Sequence, residues 1–117
     1  GLNKAKSLLV VKDNHSFLDI IARQSQINHI PLLLMNSFST REDSLSVMEK
    51  YQDQSTHPSI PMDFVQHKVP KIKQADFSPA CWPDDPALEW CPPGHGDIYT
   101  ALLTSGMLEM LLAKGYR

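Results

Sequence analysis

The chain has 117 residues and 42% of them are hydrophobic, which suffices for one domain with a modest core and excludes a disordered tail. Its formal net charge is −2 and its basic residues are scattered, so the sequence shows no basic patch that would bind nucleic acid. No apolar run is long enough to cross a membrane.

The first part of the chain predicts a strand, a turn and a helix. Residues 8–11 are a short apolar run followed by the turn residues 13–14, which indicates a buried strand end and a turn. Ser16 and Asp19 have the spacing of a capping box, which predicts a helix over residues 17–26. Helical periodicity places on its buried face Phe17, Ile20, Ile21 and Gln24.

Two further strands and a second helix follow. Residues 30–35 are apolar on both faces, as in a central parallel strand covered by helices, and Asn36 and Ser37 end that strand. A second capping spacing predicts a helix over residues 41–51, and a third strand is predicted over residues 62–66. The apolar face of the second helix carries Leu45, Met48 and Tyr51.

The remaining pattern is irregular and then helical. Prolines crowd residues 69–93 and exclude a long element there, and ordered excursions of this kind are commonly functional. Residues 98–112 are helical in pattern, with Ser105 and Gly106 dividing them into two helices. Strands that alternate with helices predict an α/β domain with a largely parallel sheet.

The sequence PPGHGD at residues 92–97 precedes this helical stretch. Prolines stiffen the approach, glycines let backbone come close to a ligand, and a helix N-terminus favours anions, so the pattern is typical of a phosphate or sugar-phosphate pocket. His95 either contacts the ligand as a neutral hydrogen-bonding side chain or packs beside the cap. Asp97 is interpreted as a cap or first-turn acid rather than a metal ligand.

Other polar side chains stand where ligands bind in α/β sheets. Asn36, Ser37 and Gln66 fall at strand ends, and the Gln66 amide, which donates and accepts together, suits the imide edge of uracil. Each could equally bond local backbone. Lys6, near the first strand, is either a surface lysine or a point charge for phosphate oxygens.

The other histidines and the cysteines show no metal-ligand spacing. We therefore expect no metal site, and we assign surface or loop roles to His15, His29, His57 and His67. Cys81 and Cys91 are expected to be a reduced pair in a cytoplasmic protein, since no targeting segment is visible.

Five stretches of the chain carry a family resemblance. They are KAKSLL at residues 4–9, FLD at 17–19, LMNSF at 34–38, QHKVPKI at 66–72 and PPGHGDIY at 92–99. Read together, they resemble the UTP–glucose-1-phosphate uridylyltransferases, or UDP-glucose pyrophosphorylases. The resemblance implies a Rossmann-like three-layer α/β/α nucleotide-diphospho-sugar transferase fold. It also implies Mg²⁺-dependent transfer of a uridylyl group from UTP to glucose 1-phosphate, which yields UDP-glucose and pyrophosphate.

The resemblance also implies roles for individual residues. Lys6 would neutralise the phosphates of UTP, and Gln66 would read uracil. The other positions would line the pocket, with the nucleotide side formed by Gly94, Asn36 and Ser37 and the sugar-phosphate side by His95 and Gly96.

By the same resemblance, residues 1–117 are part of a single nucleotidyltransferase catalytic domain. Most of the Gly-rich loop, the strand with the metal-binding aspartate and the C-terminal β-helix domain are expected outside it. We therefore expect the Mg²⁺ ligand elsewhere and little or no turnover by this chain alone. Two alternatives stay open: a broad-specificity UDP-sugar pyrophosphorylase, and a noncatalytic nucleotide-binding or interaction module. The sequence does not indicate the oligomeric state.

Overall fold

A computed structural model describes residues 5–52, 57 and 59–117, and in this part of the chain short strands alternate with helices. The strands are β1 (Val10–Lys12), β2 (His15–Ser16), β3 (Leu34–Asn36), β4 (Asp63–Val65), β5 (Val69–Pro70) and β6 (Trp90–Cys91). The α-helices are α1 (Phe17–Ile27), α2 (Arg41–Gln52), α3 (Ile98–Thr104) and α4 (Met107–Ala113), and 3₁₀ turns span Lys6–Leu8, Pro86–Glu89 and His95–Asp97. No helix within these described ranges has the length and apolar character needed to span a membrane.

The first strand pairs in an antiparallel hairpin with β2. The predicted turn is confirmed, since Asp13 and Asn14 both have positive φ, 46° and 59°. The prediction of a buried strand end is wrong: Val10 is 64% exposed and Val11 45% exposed. Adjacent residues of a strand point to opposite faces, and both faces of this hairpin are exposed at β1.

The predicted capping box of α1 is confirmed. The Ser16 hydroxyl accepts from the Asp19 amide, and the Asp19 carboxylate accepts from the Ser16 amide. The predicted apolar face is largely wrong, because the buried positions are Leu18, Asp19 and Ala22. The helix turns its capping carboxylate toward α2, so the residues left half-buried or exposed are Phe17, Ile20, Ile21 and Gln24.

Strands β3 and β4 form a parallel pair, as predicted, with Met35 opposite Phe64. The first of them is shorter than expected and begins at Leu34 instead of Ile30. Pro31 has no amide hydrogen to give to a ladder, and the first ladder bond runs from the Leu34 amide to the Met62 carbonyl at 2.9 Å. Helix α2 begins at Arg41, as predicted, and Met48 is buried on its inner face.

Helices cover both faces of this parallel pair. On one face Leu34 packs against a cluster of α1 and α2, made of Leu18, Ala22 and Met48. On the other face Met35 packs against a cluster of β4, α3 and α4, made of Phe64, Ala101 and Met107. Adjacent residues of β3 thus serve opposite layers, as the two-residue period of a strand requires. The predicted α/β fold is confirmed, and its layers here are helix, sheet, helix.

The irregular excursion contains order that the prolines concealed. Strands β5 and β6 pair antiparallel, with Val69 opposite Cys91 and Pro70 opposite Trp90. The Lys68 ammonium lies 4.6 Å from the centre of the Trp90 ring, a cation–π contact across the base of the excursion. The two ends of the excursion therefore meet beside the end of β4.

The division of the last helical stretch is confirmed. Gly106, with φ 75°, separates α3 from α4 in a left-handed conformation that glycine adopts without strain. The bend lets Ala101 of α3 and Met107 of α4 reach the same apolar cluster.

Candidate functional site

The carboxyl ends of β3 and β4 bring three predicted site residues together. Asn36 is the last residue of β3, Ser37 follows it, and Gln66 follows β4. The backbone amide of Gln66 donates to the backbone carbonyl of Asn36 at 2.9 Å, so the two strand ends are joined directly. Asn36 and Ser37 are buried and Gln66 is half-buried. This edge is where ligands bind in parallel α/β sheets.

The side chain of Asn36 is held by a network that the sequence did not reveal. Its amide nitrogen donates to the Asp63 carboxylate at 3.1 Å, and Arg41 binds the same carboxylate through Nε at 2.7 Å and a second nitrogen at 3.1 Å. Burial raises the pKa of Asp63, but the bonds from Arg41 and Asn36 outweigh it and lower the pKa below its usual value. The network fixes the strand end and leaves the Asn36 side-chain oxygen for other partners.

Ser37 closes the turn from β3 into α2. Its hydroxyl lies 3.0 Å from the Ser39 hydroxyl and 2.9 Å from the Thr40 hydroxyl. Its carbonyl accepts from the amides of Thr40 and Arg41, both at 3.2 Å. A ligand would meet a hydroxyl that already has partners, and the nucleotide role of Ser37 stays a prediction.

The glycine turn, residues 94–96, has an open backbone. Gly94 has φ 114° and ψ 177°, a conformation open to glycine and strained for other residues. A Cβ at Gly94 or at Gly96 would meet no atom within 4 Å, so the backbone on this side is unobstructed. His95 is exposed instead of packed, and its ring has no hydrogen-bond partner within the described ranges. The turn can therefore approach a ligand closely.

A histidine joins this turn to the strand ends. The Asp97 carboxylate accepts from the His67 amide at 2.7 Å and lies 2.8 Å from His67 Nδ1. His67 Nε2 lies 3.1 Å from the Thr104 hydroxyl of α3. Asp97 does stand at the N-cap position of α3, as predicted, but its carboxylate binds His67 instead of capping the helix.

His67 is the residue that the sequence analysis missed. The sequence predicts a surface or loop role for it, and no local signal pairs it with a carboxylate 30 residues away. Desolvation raises the pKa of Asp97, but the hydrogen bonds from His67 outweigh it and lower the pKa below its usual value. The carboxylate is therefore ionised over the neutral pH range.

Lys6 stands apart from these residues. It begins the 3₁₀ turn Lys6–Leu8 and is exposed, while Leu8 packs against the Leu18, Ala22 and Met48 cluster. The described part of the chain shows no bond between Lys6 and the strand ends. Its place at the phosphates stays a prediction.

The described residues do not fit a metal ion. Within residues 5–52, 57 and 59–117 no group of three or more His, Cys, Asp or Glu could hold one. Asp63 and Asp97 already bind Arg41 and His67. Cys81 and Cys91 are not joined in a disulfide, and the reduced state of the pair stays a prediction.

The whole chain matches one known protein family. The model of the family described as UTP–glucose-1-phosphate uridylyltransferase matches residues 1–117. This chain belongs to that family. Its membership confirms the resemblance drawn from the five sequence stretches.

Similar proteins agree with this assignment. The UTP–glucose-1-phosphate uridylyltransferase of Solanum tuberosum is 38% identical over 98% of this chain and 25% of its own length. A probable member from Schizosaccharomyces pombe is also 38% identical, over 98% of this chain and 24% of its own length. The chain thus spans about a quarter of the length of these relatives.

Solved structures share the fold. UDP-glucose phosphorylase from Trypanosoma brucei is 45% identical, with a TM-score of 0.84 over 99% of this chain and 26% of that protein. A mutant UDP-glucose pyrophosphorylase from Leishmania major, in complex with UDP-glucose, is 43% identical, with a TM-score of 0.85 over 99% of this chain and 26% of that protein.

Proposed function

We propose that this chain forms part of the site of a uridylyltransferase that makes UDP-glucose and pyrophosphate from UTP and glucose 1-phosphate. One observation carries the proposal: the open glycine turn is joined through Asp97 and His67 to Gln66 at the carboxyl edge of a parallel strand pair. Membership of the family and the UDP-glucose complex of the Leishmania major relative support it.

In this proposal each residue contacts a different part of the ligand. Gln66 reads the imide edge of uracil, since its amide both donates and accepts. The backbone of Gly94 approaches the base or ribose, and Asn36 and Ser37 form the wall beside them. The ring of His95 is free to donate a hydrogen bond to the sugar-phosphate side, and the Gly96 backbone lines that side.

The reaction needs no covalent enzyme intermediate. A phosphate oxygen of glucose 1-phosphate attacks the α-phosphorus of UTP in line, the bond to the bridging oxygen breaks, and pyrophosphate leaves. Positioning of the two substrates supplies catalysis, together with neutralisation of the phosphate charge by Lys6. Mg²⁺ belongs to the proposal from the family resemblance, and we assign it to no residue of this chain and to no step.

The proposal includes a cytoplasmic location, which the free thiols of Cys81 and Cys91 support. The ligands proposed for the site are UTP, glucose 1-phosphate and UDP-glucose. The scattered basic residues support a nucleotide over nucleic acid.

Calorimetric titration of the chain with UDP-glucose, UTP and ATP tests the proposal, with circular dichroism to verify folding. We expect the uridine ligands to bind more tightly than ATP. We expect Gln66→Ala to weaken UTP about tenfold, the size of one lost hydrogen bond to a bound base. Gln24→Ala is the matched control, because Gln24 is exposed on α1.

One outcome would limit the proposal and another would contradict it. A folded chain that binds none of the ligands would show that these residues do not make a site by themselves. Equal binding of UTP and ATP, unchanged by Gln66→Ala, would favour an interaction module over a uridine site.

A further inference from the structure

His67 and Asp97 each lie next to a residue of the proposed site, on two different segments of the chain. His67 immediately follows Gln66, and Asp97 immediately follows Gly96. Two contacts join them: the Asp97 carboxylate lies 2.7 Å from the His67 backbone amide and 2.8 Å from His67 Nδ1. The excursion of residues 68–93 separates them along the chain, and the pairing of β5 with β6 closes its base, so the His67–Asp97 contact is a second link between the two segments.

The glycine turn is anchored unequally at its two sides. Beyond it, α3 is held to the sheet by Ala101, which is 1% exposed in the Phe64 cluster. Before it, residues 92–94 are exposed, and the preceding anchor is Cys91 of β6, which pairs with Val69 of β5. Asp97 lies at the beginning of α3, one residue after the turn, where its carboxylate can transmit the position of β4 to the turn.

The second partner of the imidazole fixes the orientation of the ring. The Thr104 hydroxyl has one proton, and its oxygen lies 3.0 Å from the Thr100 carbonyl, which can only accept. The Thr104 oxygen lies 3.1 Å from His67 Nε2. Nδ1 donates to the Asp97 carboxylate, which can only accept, and Nε2 faces the Thr104 hydroxyl, so both ring nitrogens have partners and the ring is held in one orientation.

We propose that His67 is a positioning residue of the nucleotide-sugar site, which through Asp97 holds the glycine turn at a fixed distance from Gln66. The inference rests on the proposed function of that site. The base-recognising side chain and the sugar-phosphate turn then act as one preorganised unit. Such preorganisation favours binding, because the free energy needed to order the turn does not have to come from binding the ligand.

Two substitutions separate the two partners of the ring. In His67→Asn the amide nitrogen takes the place of Nδ1 and can still donate to Asp97. In His67→Gln the amide nitrogen takes the place of Nε2, so it can reach Thr104 but not Asp97. His29→Gln is the matched control, since His29 is exposed in the connection between α1 and β3, before the strand and not at its carboxyl end.

The variants are compared in UDP-glucose affinity by calorimetry and in amide exchange at Gly96 and Asp97 by NMR. We expect His67→Gln to weaken UDP-glucose about tenfold and to speed amide exchange at both positions about tenfold. We expect His67→Asn to remain within about threefold of the wild type in both measurements, and His29→Gln to match the wild type.

Each result decides one question. A folded wild-type chain that does not bind UDP-glucose shows that these residues do not make a site by themselves, and amide exchange then tests by itself whether His67 holds the turn. If the wild type binds and His67→Gln equals it in both measurements, the positioning role is overturned. Equal losses in His67→Asn and His67→Gln would also overturn it, because the effect would not follow the Asp97 contact.

Discussion

Two aspartates join distant segments of this chain, and they do so in contrasting surroundings. Asp19, 6% exposed, accepts from the Ser16 amide at 2.8 Å and from the Tyr51 hydroxyl at 2.7 Å, and it also pairs with the Lys50 ammonium. Asp97 lies beside the exposed glycine turn and accepts from His67. One carboxylate joins α1 to α2, and the other joins a strand end to a turn.

The comparison separates stability from positioning. Asp19 lies in the layer that covers one face of the sheet, so its donors would be buried and unpaired without it. The partners of Asp97 are close to water, which can replace lost bonds. Similar chemistry should therefore contribute to folding at Asp19 and to the geometry of the site at Asp97.

The largest effect is expected from Asp19→Ala. Removing the carboxylate leaves the Ser16 amide and the Tyr51 hydroxyl without their acceptor, and we expect a loss of about 2 to 3 kcal/mol in the free energy of unfolding. Urea unfolding followed by circular dichroism measures it. Asp84→Ala, at an exposed position, is the control. A loss equal to that of the control would remove the distinction between the two aspartates.

Acid should produce the same loss in the wild type. Burial raises the pKa of Asp19, but the bonds from Lys50, Ser16 and Tyr51 outweigh it and bring the pKa well below its usual value. Its stabilisation is therefore complete above the unfolded pKa of about 4 and is lost as pH falls toward the folded pKa. Urea midpoints of the wild type and Asp19→Asn should converge between about pH 5 and 2. A constant difference would contradict this.

A smaller effect is expected from Tyr51→Phe. The substitution removes one donor to Asp19 and keeps the ring against the Leu18 and Met48 cluster, so we expect a loss of about 1 kcal/mol. Burial, followed by the bond to Asp19, raises the pKa of the Tyr51 phenol, and the hydroxyl stays protonated at neutral pH. In the Asp19→Ala background the second substitution should cost less, which a double-mutant cycle in urea would show.

The smallest effect on stability is expected from Asp97→Asn. The urea midpoint should stay at the wild-type value, whereas amide exchange at Gly96 should become faster because the amide binds His67 more weakly than the carboxylate. NMR and urea unfolding on the same sample measure both. A lower midpoint with unchanged exchange would reverse the roles assigned to the two aspartates.

Local signals were reliable where the partner lies a few residues away. The capping box of Ser16 and Asp19, the turn at Asp13 and Asn14, and the helix break at Gly106 follow from short-range geometry, and all three are confirmed. The buried face of α1 did not follow from periodicity. The tertiary partners of Asp19 turn the helix, and these lie on α2.

In the site, too, local sequence predicted some features and missed those that depend on tertiary contacts. Apolar runs ending in polar residues predicted Asn36, Ser37 and Gln66 at strand ends, and the three share one edge because parallel strands end on the same side. The pairing of Asp97 with His67 was hidden, and so was the pairing of Asn36 with Asp63. A surface histidine and a site histidine have the same local sequence signature.

The sequence by itself determined the family, the parallel α/β layout and the glycine turn, since motif order, periodicity and backbone freedom are properties of neighbouring residues. The tertiary structure decided which faces are buried, which carboxylates have partners, and that His67 joins Gln66 to the glycine turn. The physical reason is that hydrogen bonds and ion pairs depend on distances of about 3 Å between side chains, which the folded backbone sets across many intervening residues.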